Sequence, residues 1–238
     1  CRMTCLLIDG GVALDAGSLT QVLPIERQVG VHSILLTHSH MDHTSSLPFF
    51  IENVYGQISD PIDLYASEPT IYAIRKYLFN NATWPDFTRL PNHLLPAIRF
   101  HELQAGVAIE LGGVRFTPVP VDHVVPTIGF LIEGDGRAVL WSSDTGPTRR
   151  LWEVANRTRG LQAVCLDTSF DNSLQEVADI SLHLTPRTLE RELEKLEVRV
   201  PVLLHHLKPP CVARIHREVQ ALGRPDVDFL EQGKVYRF

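Results

Sequence analysis

The chain has 238 residues, 44% of them apolar and 21% charged, with a formal net charge of −6. This balance supports one large domain with a substantial core and excludes disorder, collagen-like repeats and coiled coil. The 22 Lys and Arg are scattered rather than gathered into a stripe, so the global field does not steer long nucleic acids to the chain.

In chain order, TCLLIDGGVALDAGS predicts two short strands around a Gly-Gly turn. LTQVLPIERQVG is a short helical pattern, and HSILLTHSH is an apolar strand that ends in histidines. Residues 44–58 and 67–80 read as helices separated by the strand IDLYA. NNATWPDFTRLPNHLLPAIRF is too polar and proline-broken for core and too aromatic for a plain linker. From 107 to 142 strand signals crowd together, with a hairpin around Gly134–Gly136. A helix near 148–158, the strand LQAVCLD, a helix over 185–196, the strand VPVLLHH, a helix near 211–221 and a last pair of short strands complete the pattern. Strands alternate with helices in both halves, which predicts an α/β domain over 1–238 with two mixed sheets packed face to face and helices outside.

No apolar run approaches the ~18 residues of a membrane span. The cysteines, Cys1, Cys5, Cys165 and Cys211, lack CxxC spacing and suit reduced thiols, so a cytoplasmic protein is expected. Cys165 lies in an apolar run and reads as a small buried hydrophobe. Because the chain opens at Cys1 directly into a strand, an N-terminal segment is expected to be missing or processed.

The stretch LLTHSHMDHTSSLP places His38, His40, Asp42 and His43 within six positions, where a buried strand gives way to a loop. In an extended segment residues two apart share a side, so His38, His40 and Asp42 can converge while His43 departs as the chain turns. One segment cannot fill two coordination spheres, and further candidates follow other strands: His123 in VPVDHVVP, Asp144 in WSSDTG, His205 and His206 in VLLHHLKP. Imidazoles and carboxylates without thiolate suit Zn²⁺, Mn²⁺ or Fe.

THSHMDH, VDH, SSDTG and HHLKP, in this order, resemble the metal-binding motifs of the metallo-β-lactamase fold superfamily. LFNNATWPDF, LDTSFDN, SLHLTP and HHLKP are similar to segments of the class II cyclic-nucleotide phosphodiesterases and, next, of ribonuclease Z. The resemblance implies an αββα sandwich and two divalent ions, Zn²⁺ first, with Mn²⁺ or Fe as alternatives. It assigns His38, His40 and His123 to one ion and Asp42, His43 and His206 to the other, with Asp144 bridging. It gives His183 the task of protonating the leaving group, paired with Asp167. His205, pointing the other way from the strand end, reads as a hydrogen-bonded or core histidine. Two departures stand out: Ser143 where the family usually has Gly, and Leu182 where it has Ser or Gly.

The expected activity is hydrolysis of 3′,5′-cyclic nucleotides (cAMP, cGMP), or a similar small anionic phosphodiester, to a 5′-monoester by a metal-held hydroxide. Trp84 and Phe87, with Phe79 and Phe170 nearby in the motifs, could stack on a base, and Lys208 could meet a phosphate. A ribonuclease Z-like tRNA 3′-processing nuclease is the alternative, as is another hydrolase or a di-iron redox enzyme on the same fold. The relatives imply a homodimer.

Overall fold

The computed structural model describes residues 3–9, 11–92 and 95–238; Cys1, Gly10 of the expected turn, and His93 and Leu94 of the proline-rich passage lie outside them. The chain divides after Gln104 into two units, and each has its own mixed sheet flanked in sequence by helices.

In the N-terminal unit the two expected strands are β1 (Leu6–Ile8) and β2 (Val12–Leu14), an antiparallel pair. Pro24 divides the helical pattern that follows into two single turns, α1 (Leu19–Val22) and α2 (Ile25–Gln28), since proline cannot continue an amide ladder. Then come β3 (Ser33–Leu35), α3 (Met41–Thr44), α4 (Leu47–Val54), β4 (Ile62–Ala66) and α5 (Glu68–Tyr77). The expected 44–58 helix is therefore two shorter ones, the first beginning inside the histidine cluster. Helix α4 buries Leu47, Phe50, Ile51 and Val54, the one-face spacing of an amphipathic helix.

The proline-rich passage corrects its reading. A two-residue pairing of β5 (Pro91–Asn92) with β6 (Leu95–Pro96) leads into β7 (Ile98–Glu102), which completes the sheet order β1-β2-β3-β4-β7. Phe87 and Ile98 are 5% and 1% exposed and belong to this unit's core. Pro85, Pro91 and Pro96 hide the pattern, yet a sheet edge tolerates the strand that follows them.

The C-terminal unit contains β8 (Ile109–Leu111), β9 (Val114–Val121), β10 (Thr127–Gly134), β11 (Arg137–Trp141), α6 (Arg150–Arg157) and β12 (Leu161–Asp167). It continues with α7 (Gln175–Ser181), α8 (Pro186–Leu193), β13 (Val202–His205), α9 (Val212–Ala221) and β14 (Val227–Phe229). Sheet order is β14-β13-β12-β11-β10-β9-β8. Strands β9 and β11 are both antiparallel to β10, and β12 and β13 are parallel to β11 in turn. All four thus run one way, and their C-terminal ends meet one edge of the sheet, where open α/β sheets place their chemistry. Helix α7 was not expected, and the last pair of strands is a single strand, β14, among the described residues.

Candidate metal centre

In the N-terminal unit the histidine cluster is held from below by Asp15, at the end of β2. Asp15 is fully buried. Its Oδ1 accepts the Thr37 amide at 2.8 Å, its Oδ2 lies 2.7 Å from His43 Nδ1, and the Thr37 hydroxyl donates to it. His38 Nδ1 is 3.0 Å from that hydroxyl, and His38 Nε2 is 3.1 Å from His40 Nδ1. The loop itself is pinned by backbone bonds, Thr4 N–H to Asp42 O and Ala16 N–H to His43 O. Gly17 permits this: a Cβ there would stand 1.9 Å from Asp42 O.

The sheet edge of the C-terminal unit carries the remaining candidates. His123 follows β9, and its Nδ1 lies 3.1 Å from Leu182 O. Asp144 follows β11 and is 1% exposed. Asp167 ends β12, fully buried, with His183 Nδ1 at 2.6 Å and the Thr145 amide at 3.0 Å on Oδ2 and the Ser169 hydroxyl at 2.6 Å on Oδ1. His206, just past β13, lies 2.9 Å from the Ser169 hydroxyl through Nδ1 and 3.3 Å from Lys208 Nζ through Nε2. Asp167, His183 and His206 each bring a donor atom within 4.8 Å of the others. His205 turns the opposite way and stacks on Trp141 with ring centroids 3.9 Å apart. Phe170 packs edge-on against His183 at 5.7 Å, while Trp84 packs edge-on against Phe49 at 5.1 Å beside the N-terminal core.

Charge follows from these contacts. Burial pushes the Asp167 carboxyl up, but the charge and hydrogen bond of His183 outweigh it and hold it below the ordinary carboxylate range. Burial pushes His183 down, and the same partner outweighs that, leaving it above the ordinary histidine value.

Backbone conformation is unusual at four of these places. Asp15, Ser143, Leu182 and His206 all have positive φ, at 60°, 58°, 50° and 66°, a region that costs a non-glycine residue on the order of 1 kcal/mol or more. Two of them, Ser143 and Leu182, are the departures from the family pattern, and at Ser143, where that pattern has Gly, the departure is from the residue that adopts this backbone without strain.

Ser169, Asp15 and Thr37 were missed in the sequence. Ser169 had one signal, its place two residues beyond Asp167, on the same side of an extended segment.

The donor set fits a divalent ion. His43, His123 and His206 are each anchored through Nδ1 by an oxygen partner, which leaves Nε2 as the basic nitrogen, the arrangement of metal-ligating imidazoles.

The chain belongs to the β-lactamase superfamily, whose domain matches residues 4–206. It is 30% identical over 222 residues to a probable 3′,5′-cyclic-nucleotide phosphodiesterase of Yersinia pestis, covering 82% of this chain and 62% of that protein. It is 29% identical over 194 residues to ribonuclease Z of Mycobacterium bovis, covering 75% and 68%. In structure it resembles the metallo-β-lactamase fold protein YhfI of Bacillus subtilis, with a TM-score of 0.73 at 14% identity over 98% of this chain and 89% of that one. The fold is thus the metallo-β-lactamase fold, and its His/Asp donor set is compatible with a divalent metal site. The chain spans 62% of the phosphodiesterase's length.

Proposed function

We propose that this chain is a metal-dependent phosphodiesterase that opens 3′,5′-cyclic nucleotides, or a similar small diester, to a 5′-monoester. The observation that carries the reading is the buried His183–Asp167 pair, 2.6 Å apart at the sheet edge. Cleaving an alkyl diester expels an alkoxide, a poor leaving group unless protonated. Asp167 holds the Nδ1 side of His183 and favours its protonated form, so Nε2 can deliver a proton to the departing oxygen. A thioester, whose thiolate departs without protonation, does not need an acid of this kind in the same degree.

The ligand assignment of the motifs is part of the proposal: His38, His40 and His123 for one ion, Asp42, His43 and His206 for the other, Asp144 shared. When bound, two divalent ions supply Lewis acidity and an activated water. Phe170, against His183, would offer a stacking face beside the scissile bond, and Lys208 a charge for the phosphate. We assign no such contact to Trp84, whose ring packs on Phe49.

The test is elemental analysis of the purified protein together with turnover of cAMP, cGMP and bis-p-nitrophenyl phosphate. A protein with its metals loaded that cleaves none of these diesters overturns the reading. A second reading, a tRNA 3′-processing nuclease, is favoured by the ribonuclease Z relatives and opposed by the net charge of −6; precursor tRNA in the same panel separates the two.

A further inference from the structure

We propose that Ser169 is a positioning residue: its hydroxyl joins His206 to the same carboxylate that holds His183, so that Asp167 orients both imidazoles. The inference rests on the reading of His206 as a metal ligand and goes beyond it by naming what sets that ligand's orientation.

The direction of each bond can be worked out. The Asp167 carboxylate only accepts, so the Ser169 hydroxyl donates its one hydrogen to Oδ1, at 2.6 Å. Toward the two histidines the hydroxyl oxygen can then only accept. His183 Nδ1 lies 3.1 Å from it but points its hydrogen at Asp167 Oδ2, at 2.6 Å. The remaining donor is His206 Nδ1, at 2.9 Å. From the other side of the ring, Lys208 Nζ, which can only donate, stands 3.3 Å from Nε2. The contacts at the two ring nitrogens of His206 therefore require one tautomer, hydrogen on Nδ1 and lone pair on Nε2, and an ion on Nε2 would take that lone pair in place of Lys208. Asp144 Oδ1 and Asp167 Oδ1 are more distant from Nδ1, at 3.4 and 3.9 Å.

Ser169 is also held where this works. It is fully buried, its carbonyl accepts the Lys208 amide at 2.9 Å, and the neighbouring Thr168 amide donates to His205 O at 3.1 Å. The two strand ends are thus joined residue by residue. His206 has a left-handed backbone, φ 66°, in which its side chain gains nothing from regular strand geometry. The hydroxyl supplies the missing restraint.

The experiment uses the full chain loaded with zinc, as parent, Ser169→Ala and Ser169→Thr, with two readouts independent of turnover. The first is the rate of zinc loss to a chelator, expected to rise about ten- to a hundredfold in Ser169→Ala and to return toward the parent rate in Ser169→Thr, which keeps the hydroxyl. The second, recorded after the zinc has been withdrawn so that no ion holds Nε2, is the His206 ring nitrogens by ¹⁵N NMR, assigned with His206→Asn, expected to show the Nδ1–H form in the parent and a mixture of both tautomers in Ser169→Ala. A merely structural serine would lower stability and move neither readout. Ser169→Ala with parental zinc release, or with the parental tautomer, overturns the proposal. If Ser169→Ala does not fold, Ser169→Cys, of similar size and with weak hydrogen bonding, carries the same two measurements. A parent that cleaves no diester would overturn the phosphodiesterase reading while leaving both outcomes readable.

Discussion

At the residue scale, a general acid and a metal ligand fail differently when removed. His183→Ala should keep its metal content and slow the cleavage of diesters with alkoxide leaving groups by about 10²–10⁴-fold, while p-nitrophenolate, which needs little protonation, departs at nearly the parent rate. Equal slowing of both, measured as kcat on cAMP and on bis-p-nitrophenyl phosphate, would remove His183 from the acid role. The contrast also explains what was legible in the sequence. Histidines and aspartates at the ends of apolar strands are rare enough together that His38, His40, His123 and His206 announced themselves. Ser169, Asp15 and Thr37 did not, because hydroxyls and single aspartates serve turns and caps in every fold. What singles them out is burial and direction, which only the folded chain displays.

At the element scale, α8 is capped by Thr185, two residues after His183, in a capping box in which Thr185 and Thr188 satisfy each other's backbone amides. Thr185→Ala should lower stability by about 1 kcal/mol in chemical denaturation. The segment between β12 and α7 is tied to α9 by Asp171, which accepts from Arg214 Nε at 2.7 Å and from the Ser173 amide at 3.0 Å. Burial pushes the Asp171 carboxyl up, but the Ser173 and Arg214 bonds outweigh it and bring it down to about 2 from 3.8. The folded value lies below the unfolded one, so this stabilisation is complete above roughly pH 4 and fades as pH falls toward 2. Asp171→Asn should therefore cost on the order of 2 kcal/mol at pH 7, with the gap from the parent closing in acid; a gap independent of pH would refute the assignment. Elements were legible where apolar period and burial agree, as in α4. Helix α7 escaped because its apolar residues point outward: Val177 and Ile180 are 45% and 81% exposed, and of its residues only Ala178 is buried. The β7 strand escaped because prolines precede it.

At the scale of the whole molecule, the alternation of strands and helices foretold two mixed sheets with helices, and the superfamily match agrees. What the pattern could not convey is the common direction of β9, β11, β12 and β13, since a strand's partners are chosen by pairing over long sequence separations. Among the described residues no helix is long and apolar enough to cross a membrane. The charge balance bears on substrate class. With a net charge of −6 and no basic stripe, turnover of a small diester should vary little between 50 and 200 mM salt, whereas a nuclease held by many phosphate contacts would lose about 10³-fold or more in affinity over that range. Salt-dependent KM values for cAMP and precursor tRNA check this. Removing the metals with a chelator should abolish diester cleavage, and adding back Zn²⁺ or Mn²⁺ should restore it; activity that survives complete removal would sink the metallo-hydrolase mechanism.

Gly17 has no side chain with which to meet a substrate or a metal, and one placed there would collide with the carbonyl of Asp42. This makes it useful for telling working copies from decayed ones. A duplicated gene drifting out of use can retain every histidine for a long time by chance, and a survey of ligands would still count it as active. Were position 17 no longer glycine in such a copy, the loop bearing Asp42 could not seat against residues 15–18, and the intact ligand set would mislead. In a lineage comparison, the residue to inspect first is the one with no chemistry of its own.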